Sequence, residues 1–284
     1  MLIHLAAALQ LAATPPAPAS YMTICAKSAA EARELARIRF IALDNDPSAQ
    51  TDFESGEKAR QEIERMRDAL DAGTPLPSPY KGAAEYAAAS RGNPDPVVSE
   101  LLMRAARDAF SRTHLTAALR NESWAAGLSV RAKQYAYSSA GALECGLDAD
   151  NTRWLKAQVA TRGWFLKSVD GDRAAGAAWL LVQHADRDPA FQKAMLDLMA
   201  PLAATGDVER GAYALLWDRV AVREGRPQRH GTQGRCNGGR WLANPIEDEA
   251  QLEARRTAAG LPPMTAYQRR MDTLCPPSSA PTSR

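Results

Sequence analysis

The sequence lacks most of the features that would narrow its function quickly. It has little charge asymmetry, since 35 Lys and Arg against 33 Asp and Glu leave a formal net charge of +2. Both signs are scattered, so there is no broad basic face of the kind nucleic-acid binding demands, and nucleic acid is set aside as a partner. No run beyond the N-terminus approaches the roughly 18 uninterrupted apolar residues that cross a bilayer, so no membrane span is expected. G-x-S-x-G, the P-loop and G-x-G-x-x-G are all missing, which removes the common hydrolase and nucleotide-binding signatures. H-E-x-x-H and C-x-x-C are missing too. His184, Asp186, Asp188, His230 and Glu247 come nearest to a metal set but fit no ligand spacing, so neither metal nor cofactor is expected.

What is present begins with size: 284 residues with 45% hydrophobic content can bury a substantial core. The opening MLIHLAAALQLAATPPAPAS carries a short apolar run, then Ala17, Pro18 and Ala19 as an A-x-A cleavage site before Ser20. Residues 1–19 therefore read as a signal peptide, and the mature chain as periplasmic or secreted. Its four cysteines, Cys25, Cys145, Cys236 and Cys275, are an even count that fits two disulfides in an oxidising compartment. Three pairings are open. Cys236 with Cys275 and Cys25 with Cys145 is favoured, because the first would fasten the C-terminal tail to a glycine-rich loop and the second would fasten the N-terminus.

Helical signals dominate. Helices are expected near 29–43, 56–71, 81–89, 95–119, 123–143, 151–163, 173–185, 189–206, 208–224, 246–259 and 264–273. Asn237-Gly238-Gly239 reads as the tip of a β-hairpin with arms near 228–235 and 240–242. The expected fold is mainly α, a multi-helix orthogonal or bundle-like domain with one small β-hairpin near 228–242. In this reading 20–94 form a helical N-terminal extension, 95–275 the main domain and 276–284 a disordered tail.

Two helices share a pattern. AAGAAWLLVQHA is apolar nearly all round except for Gln183 and His184, and GAYALLWDRVAV is apolar except for Asp218 and Arg219. Buried polar groups must find partners, so His184 is expected to share one cluster with Asp218 or Arg219. An imidazole oriented by a carboxylate is a tunable acid or base, whereas the plainer interpretation is a histidine that fixes helix register. In QRHGTQ, Gly231 permits a backbone conformation closed to other residues, and N–H groups beside Thr232 and Gln233 could bind an oxyanion or carboxylate. An ordinary β-arm is the alternative.

The runs WLLVQHADRDPAFQ, YALLWDRV, GRPQRHGTQ, PIED and ARRTAAGLPPMTAY, in this order, resemble the bacterial family of unknown function DUF6624. The resemblance implies that Gln183, His184, Asp186, Asp218, Arg219, Gln228, Gly231, Thr232 and Gln233 are characteristic positions. The chain departs from the pattern twice: Arg107-Asp108-Ala109-Phe110-Ser111-Arg112 lacks the glutamine of R-D-Q-x-x-R, and His230 replaces a tyrosine. The resemblance implies an architecture and a site, but no activity.

The functional expectation is a hydrolase-like or small-molecule-binding domain with a polar cleft. His184 and Asp218 would be catalytic, with Gln183, Asp186, Arg219, Gln228, Gly231, Thr232 and Gln233 binding a small anionic or polar ligand. The alternative is a non-catalytic helical interaction module of the cell envelope in which the same residues are structural.

Overall fold

The computed structural model describes residues 48–119 and 123–275, with Ser28, Ala30, Glu31, Ala32 and Glu34. The expected signal peptide, most of the first expected helix, the Cys25 half of a disulfide and the expected tail lie outside the described residues. The fold is mainly α-helical, with one small two-stranded antiparallel sheet. No described helix is long and apolar enough to cross a membrane.

Three helices form the first wall. Helix α1 (Ser48–Ala72) ends at Gly73, whose φ of +81° suits glycine, and α2 (Lys81–Arg91) follows the proline-rich connector. Asp95 and Pro96 then start α3 (Pro96–Leu119) as expected: the Asp95 carboxylate accepts from the Val97 and Val98 amides at 2.8 and 3.2 Å. Ser90 and Ser99 hydroxyls donate to each other's carbonyls, at 2.7 and 2.9 Å, and lock α2 to α3.

The next element corrects the sequence reading. Where two helices were expected either side of Leu143–Asn151, the chain runs as one helix, α4 (Val130–Arg162), after a short 3-10 turn (Ser123–Ala125). Gly146 lies within it, a position that costs roughly 1 kcal/mol against alanine. Packing against α1 and α3 compensates. Gly56 lets α1 come close, since a Cβ there would stand 2.8 Å from the Ala132 carbonyl and from the Tyr135 ring.

Short α5 (Lys167–Asp170) leads into α6 (Asp172–Gln183), α7 (Pro189–Thr205) and α8 (Arg210–Arg223). Asp188 caps α7 by accepting from the Phe191 amide at 3.0 Å, and α7 closes at Gly206. The hairpin strands are β1 (Gly234–Asn237) and β2 (Arg240–Ala243), with Gly238 and Gly239 both at positive φ in the tip. Gln228, expected in the first arm, forms a separate bridge with Ile246. A 3-10 turn (Glu249–Gln251), α9 (Leu252–Ala258) and α10 (Met264–Asp272) complete the order, and Cys236–Cys275 is a disulfide.

Helix α3 is shared by two cores. Leu101, Leu102 and Ala105 pack with α4, α6, α7 and α8 residues such as Leu155, Leu181 and Met199. Ala106 and Phe110 pack with Ile63, Leu70, Tyr80 and Ala136 on the other side. Each large side chain so buried contributes about 1.5–3 kcal/mol. Asp108 lies on this shared helix, fully buried.

Candidate functional site

His184 follows the last turn of α6. Its Nδ1 lies 2.9 Å from Asp108 Oδ2 and 3.0 Å from Oδ1, so the carboxylate comes from α3. Asp218, the partner expected from sequence, turns the other way. The physical reason is that α3 packs directly on α6, and its one buried acid meets the imidazole before any group of α8 does. Asp108 is 0% exposed while the His184 side chain keeps 16%.

Asp108 is in turn held by Arg112, whose Nη1 donates at 2.8 Å. Arg112 also meets Asp148 at 3.0 Å and Glu144 at 3.3 Å, both on α4. One guanidinium thus serves three carboxylates. Burial pushes Glu144 up to about 7, opposed by Arg112 and reinforced by Asp148 and Asp108. Burial likewise pushes Asp148 up to about 6, with Arg112 opposing and Asp108 adding to the rise. Burial also raises the Tyr86 phenol, which Arg173 counters and Asp108 reinforces. A largely buried imidazole therefore backs onto Asp108, behind which Glu144 and Asp148 hold their protons to higher pH than free carboxyls do.

On its outer side His184 neighbours Asp186. Burial would raise the Asp186 carboxyl, but the charge and hydrogen bonds of Arg219, a bond from Gln192 and the nearby His184 together hold it low. Arg219 Nη1 donates to both Asp186 oxygens at 2.7 and 2.8 Å, and Gln192 Nε2 donates to Oδ1 at 3.1 Å. The structure thus brings His184, Asp186 and Arg219 together, with Asp186 as the link. Gln183 is buried beside them. Its side-chain Oε1 and Arg219 Nε have no hydrogen-bond partner among the described residues.

The remaining expected site residues form a second knot. Asp218 accepts from the Arg229, His230 and Thr232 amides at 2.8, 3.0 and 2.9 Å, and from the Thr232 hydroxyl at 2.9 Å. His230 Nδ1 lies 3.3 Å away. Burial would raise the Asp218 carboxyl, yet these bonds from His230, Thr232 and Arg229 outweigh it and leave it below the usual range. Gln228 Nε2 donates to the Gln233 and Asn244 carbonyls at 2.8 Å each, and its Oε1 accepts from the Gln233 amide at 2.8 Å. Tyr267 closes the knot by donating to the Thr232 carbonyl at 3.0 Å, and Arg256 donates to the His230 carbonyl. The amides expected to face an oxyanion are therefore already engaged. Gly231 is favoured by its φ of +65°, and a Cβ there would stand a tight 3.1 Å from Met264 Sδ.

Sequence reasoning missed Asp108, Arg112, Glu144 and Asp148 as site residues. The available signal was the spacing of four between Asp108 and Arg112 and again between Glu144 and Asp148, which puts each pair on one helical face. Among the described residues no group of His, Cys, Asp and Glu is arranged to hold a metal ion.

Residues 105–275 match DUF6624, described as a family of unknown function. The chain belongs to DUF6624. No curated protein and no solved structure matches it. The DUF6624 match takes in both knots, from Asp108 to Tyr267, whereas α1 and α2 precede it.

Proposed function

We propose that His184 is the acid–base group of a small-molecule site, hydrolase-like in its chemistry, on the exposed side of the Asp108–Arg112 layer. The observation that carries this reading is the His184–Asp108 contact: a fully buried carboxylate holds Nδ1 while 16% of the His184 side chain stays exposed. With Asp108 accepting the Nδ1 proton, the neutral imidazole leaves Nε2 free to take one from a substrate or water. Beside it lie a buried donor, Arg219 Nε, and a buried acceptor, Gln183 Oε1, neither with a hydrogen-bond partner among the described residues. Asp218 orients the 229–232 loop rather than His184. We further read the chain as exported, with residues 20–94 as an extension on a 95–275 domain. The disulfide is compatible with that location.

A second reading, an envelope interaction module without catalysis, draws support from the Asp218 knot, where the Arg229, His230, Thr232 and Gln233 amides serve the fold. A thermal-shift screen of small polar and anionic compounds separates the two. The site reading expects compounds that raise the Tm of the full chain but not of His184→Gln, with that variant melting close to the parent. If no compound shifts the parent, and His184→Gln costs about 1–3 kcal/mol of stability, the module reading replaces it.

A further inference from the structure

A cavity of about 470 Å³ lies between α1, α3 and α4, on the side of α3 away from His184. It is not part of the site above. Its walls include Ile63, Phe110 and Leu143, with Ser111, Ser139 and His114 as polar members. His114 is 4% exposed, and neither ring nitrogen has a hydrogen-bond partner among the described residues. Phe110 and Trp124 rings flank it at 5.2 and 6.3 Å, and the residue forms part of the cavity wall. Buried donors and acceptors are rarely left empty-handed, so this ring calls for a partner.

We propose that this cavity binds an uncharged, mainly apolar small molecule carrying a hydroxyl group, with His114 as the group that recognises the hydroxyl. Size sets the first limit, because about 150 Å³ already accommodates benzene, so a two-ring molecule fits. Charge sets the second. The ionic groups at the cavity have partners nearby: Arg60 with Glu57, Arg107 with Asp71 at 3.0 Å, Asp150 with Arg104 and Arg153 at 2.7 Å each, and Arg67 more loosely with Asp68 at 4.0 Å. An ionic ligand would lose its hydration without gaining a free countercharge. Burial lowers His114 to about 4, opposed by the Phe110 carbonyl and reinforced by the charge of Arg67, so the ring is neutral and presents one donor and one acceptor. A hydroxyl answers either nitrogen. Helix α1 precedes the DUF6624 match, so the cavity joins a family helix pair to a wall from outside the matched region.

Isothermal titration calorimetry of the full chain, disulfides intact, with 2-naphthol as the probe tests this. Sodium 2-naphthoate and 2-naphthylmethylammonium chloride serve as charged controls. One 2-naphthol per chain is expected, with neither ion binding measurably. His114→Phe should weaken 2-naphthol at least tenfold, and Ala140→Phe, which fills the cavity from α4, should abolish binding. Should His114→Phe fail to fold, the imidazole ¹⁵N shifts of His114 in the parent decide, since 2-naphthol must move them. No binding by the folded parent, ions binding as well as 2-naphthol, an unaffected His114→Phe, or unmoved His114 shifts would each overturn the proposal.

Discussion

His184 and Asp108 stand 76 residues apart in sequence and 2.9 Å apart in space, joining α6 to the helix shared by both cores. Asp108 also binds Arg112, so two groups on two helices depend on one buried carboxylate. Asp108→Ala would leave Arg112 without its buried partner and His184 unanchored, and is expected to cost about 3–5 kcal/mol in urea unfolding. Removing the imidazole, which unlike Asp108 keeps some exposure, by His184→Gln should cost clearly less. Equal losses would mean that the ring, rather than the acid, holds the two helices together.

Stability should fall as pH rises through the window in which Glu144 and Asp148 lose their protons. Glu144 and Asp148 hold their protons up to about 7 and 6, whereas in the unfolded chain they ionise near 4.5 and 3.8. Over that window the native state binds more protons than the unfolded state, so rising pH costs stability. Urea unfolding of the parent between pH 5 and 8 should show this descent, and Glu144→Gln should flatten it and be the more stable form at pH 8. Parallel pH profiles for the two proteins would remove Glu144 from the explanation.

The opposite slope belongs to His114. It titrates near 4 in the fold against 6.5 for a free imidazole, so acid favours the unfolded chain and stability is lost as pH falls below about 6.5. His114→Phe should lessen that acid loss, as read from melting temperatures at pH 4.5 and 6.5.

Asp218 is expected to be a loop organiser. Asp218→Ala strips the acceptor from the Arg229, His230 and Thr232 amides and should cost at least about 2 kcal/mol. Amide exchange should accelerate first at these same residues. Its depressed carboxyl adds stability that is present above the unfolded-state pKa and is lost as pH falls through the lower native value.

Reduction should loosen the tail without releasing it. The Cys236–Cys275 bond closes a 39-residue separation and is worth about 2–4 kcal/mol on loop entropy. Trp241 still donates its amide to Asp272 at 2.7 Å, and Gln268 still donates to the Trp241 carbonyl at 2.6 Å. The double variant Cys236→Ser/Cys275→Ser should therefore keep its helical circular dichroism while its Tm drops.

Local chemistry was the legible part of this chain. Asp95-Pro96 fixed the start of α3, Asn237-Gly238-Gly239 the hairpin tip, and Gly206 the end of α7, because each depends on residues within a few positions. Gln183 and His184 stood out correctly as polar groups at the end of an enclosed helix. Their partner did not, since hydrophobic period says which face of α3 is buried but not which helix covers it. The run through Gly146 was misread as a break for a related reason: contacts from α1 and α3 outweigh the weak local preference there. The engaged amides of Arg229, His230 and Thr232 were likewise hidden, because the acid that collects them lies on α8.

The most direct measurement is the tautomer of His184, from long-range ¹H–¹⁵N spectra of the neutral ring in the full chain. A proton on Nδ1, with Nε2 showing the shift of an unprotonated nitrogen, is the predicted result, and Asp108→Ala should abolish the preference. An Nε2 proton in the parent, or a tautomer indifferent to Asp108→Ala, would contradict a base anchored on that carboxylate.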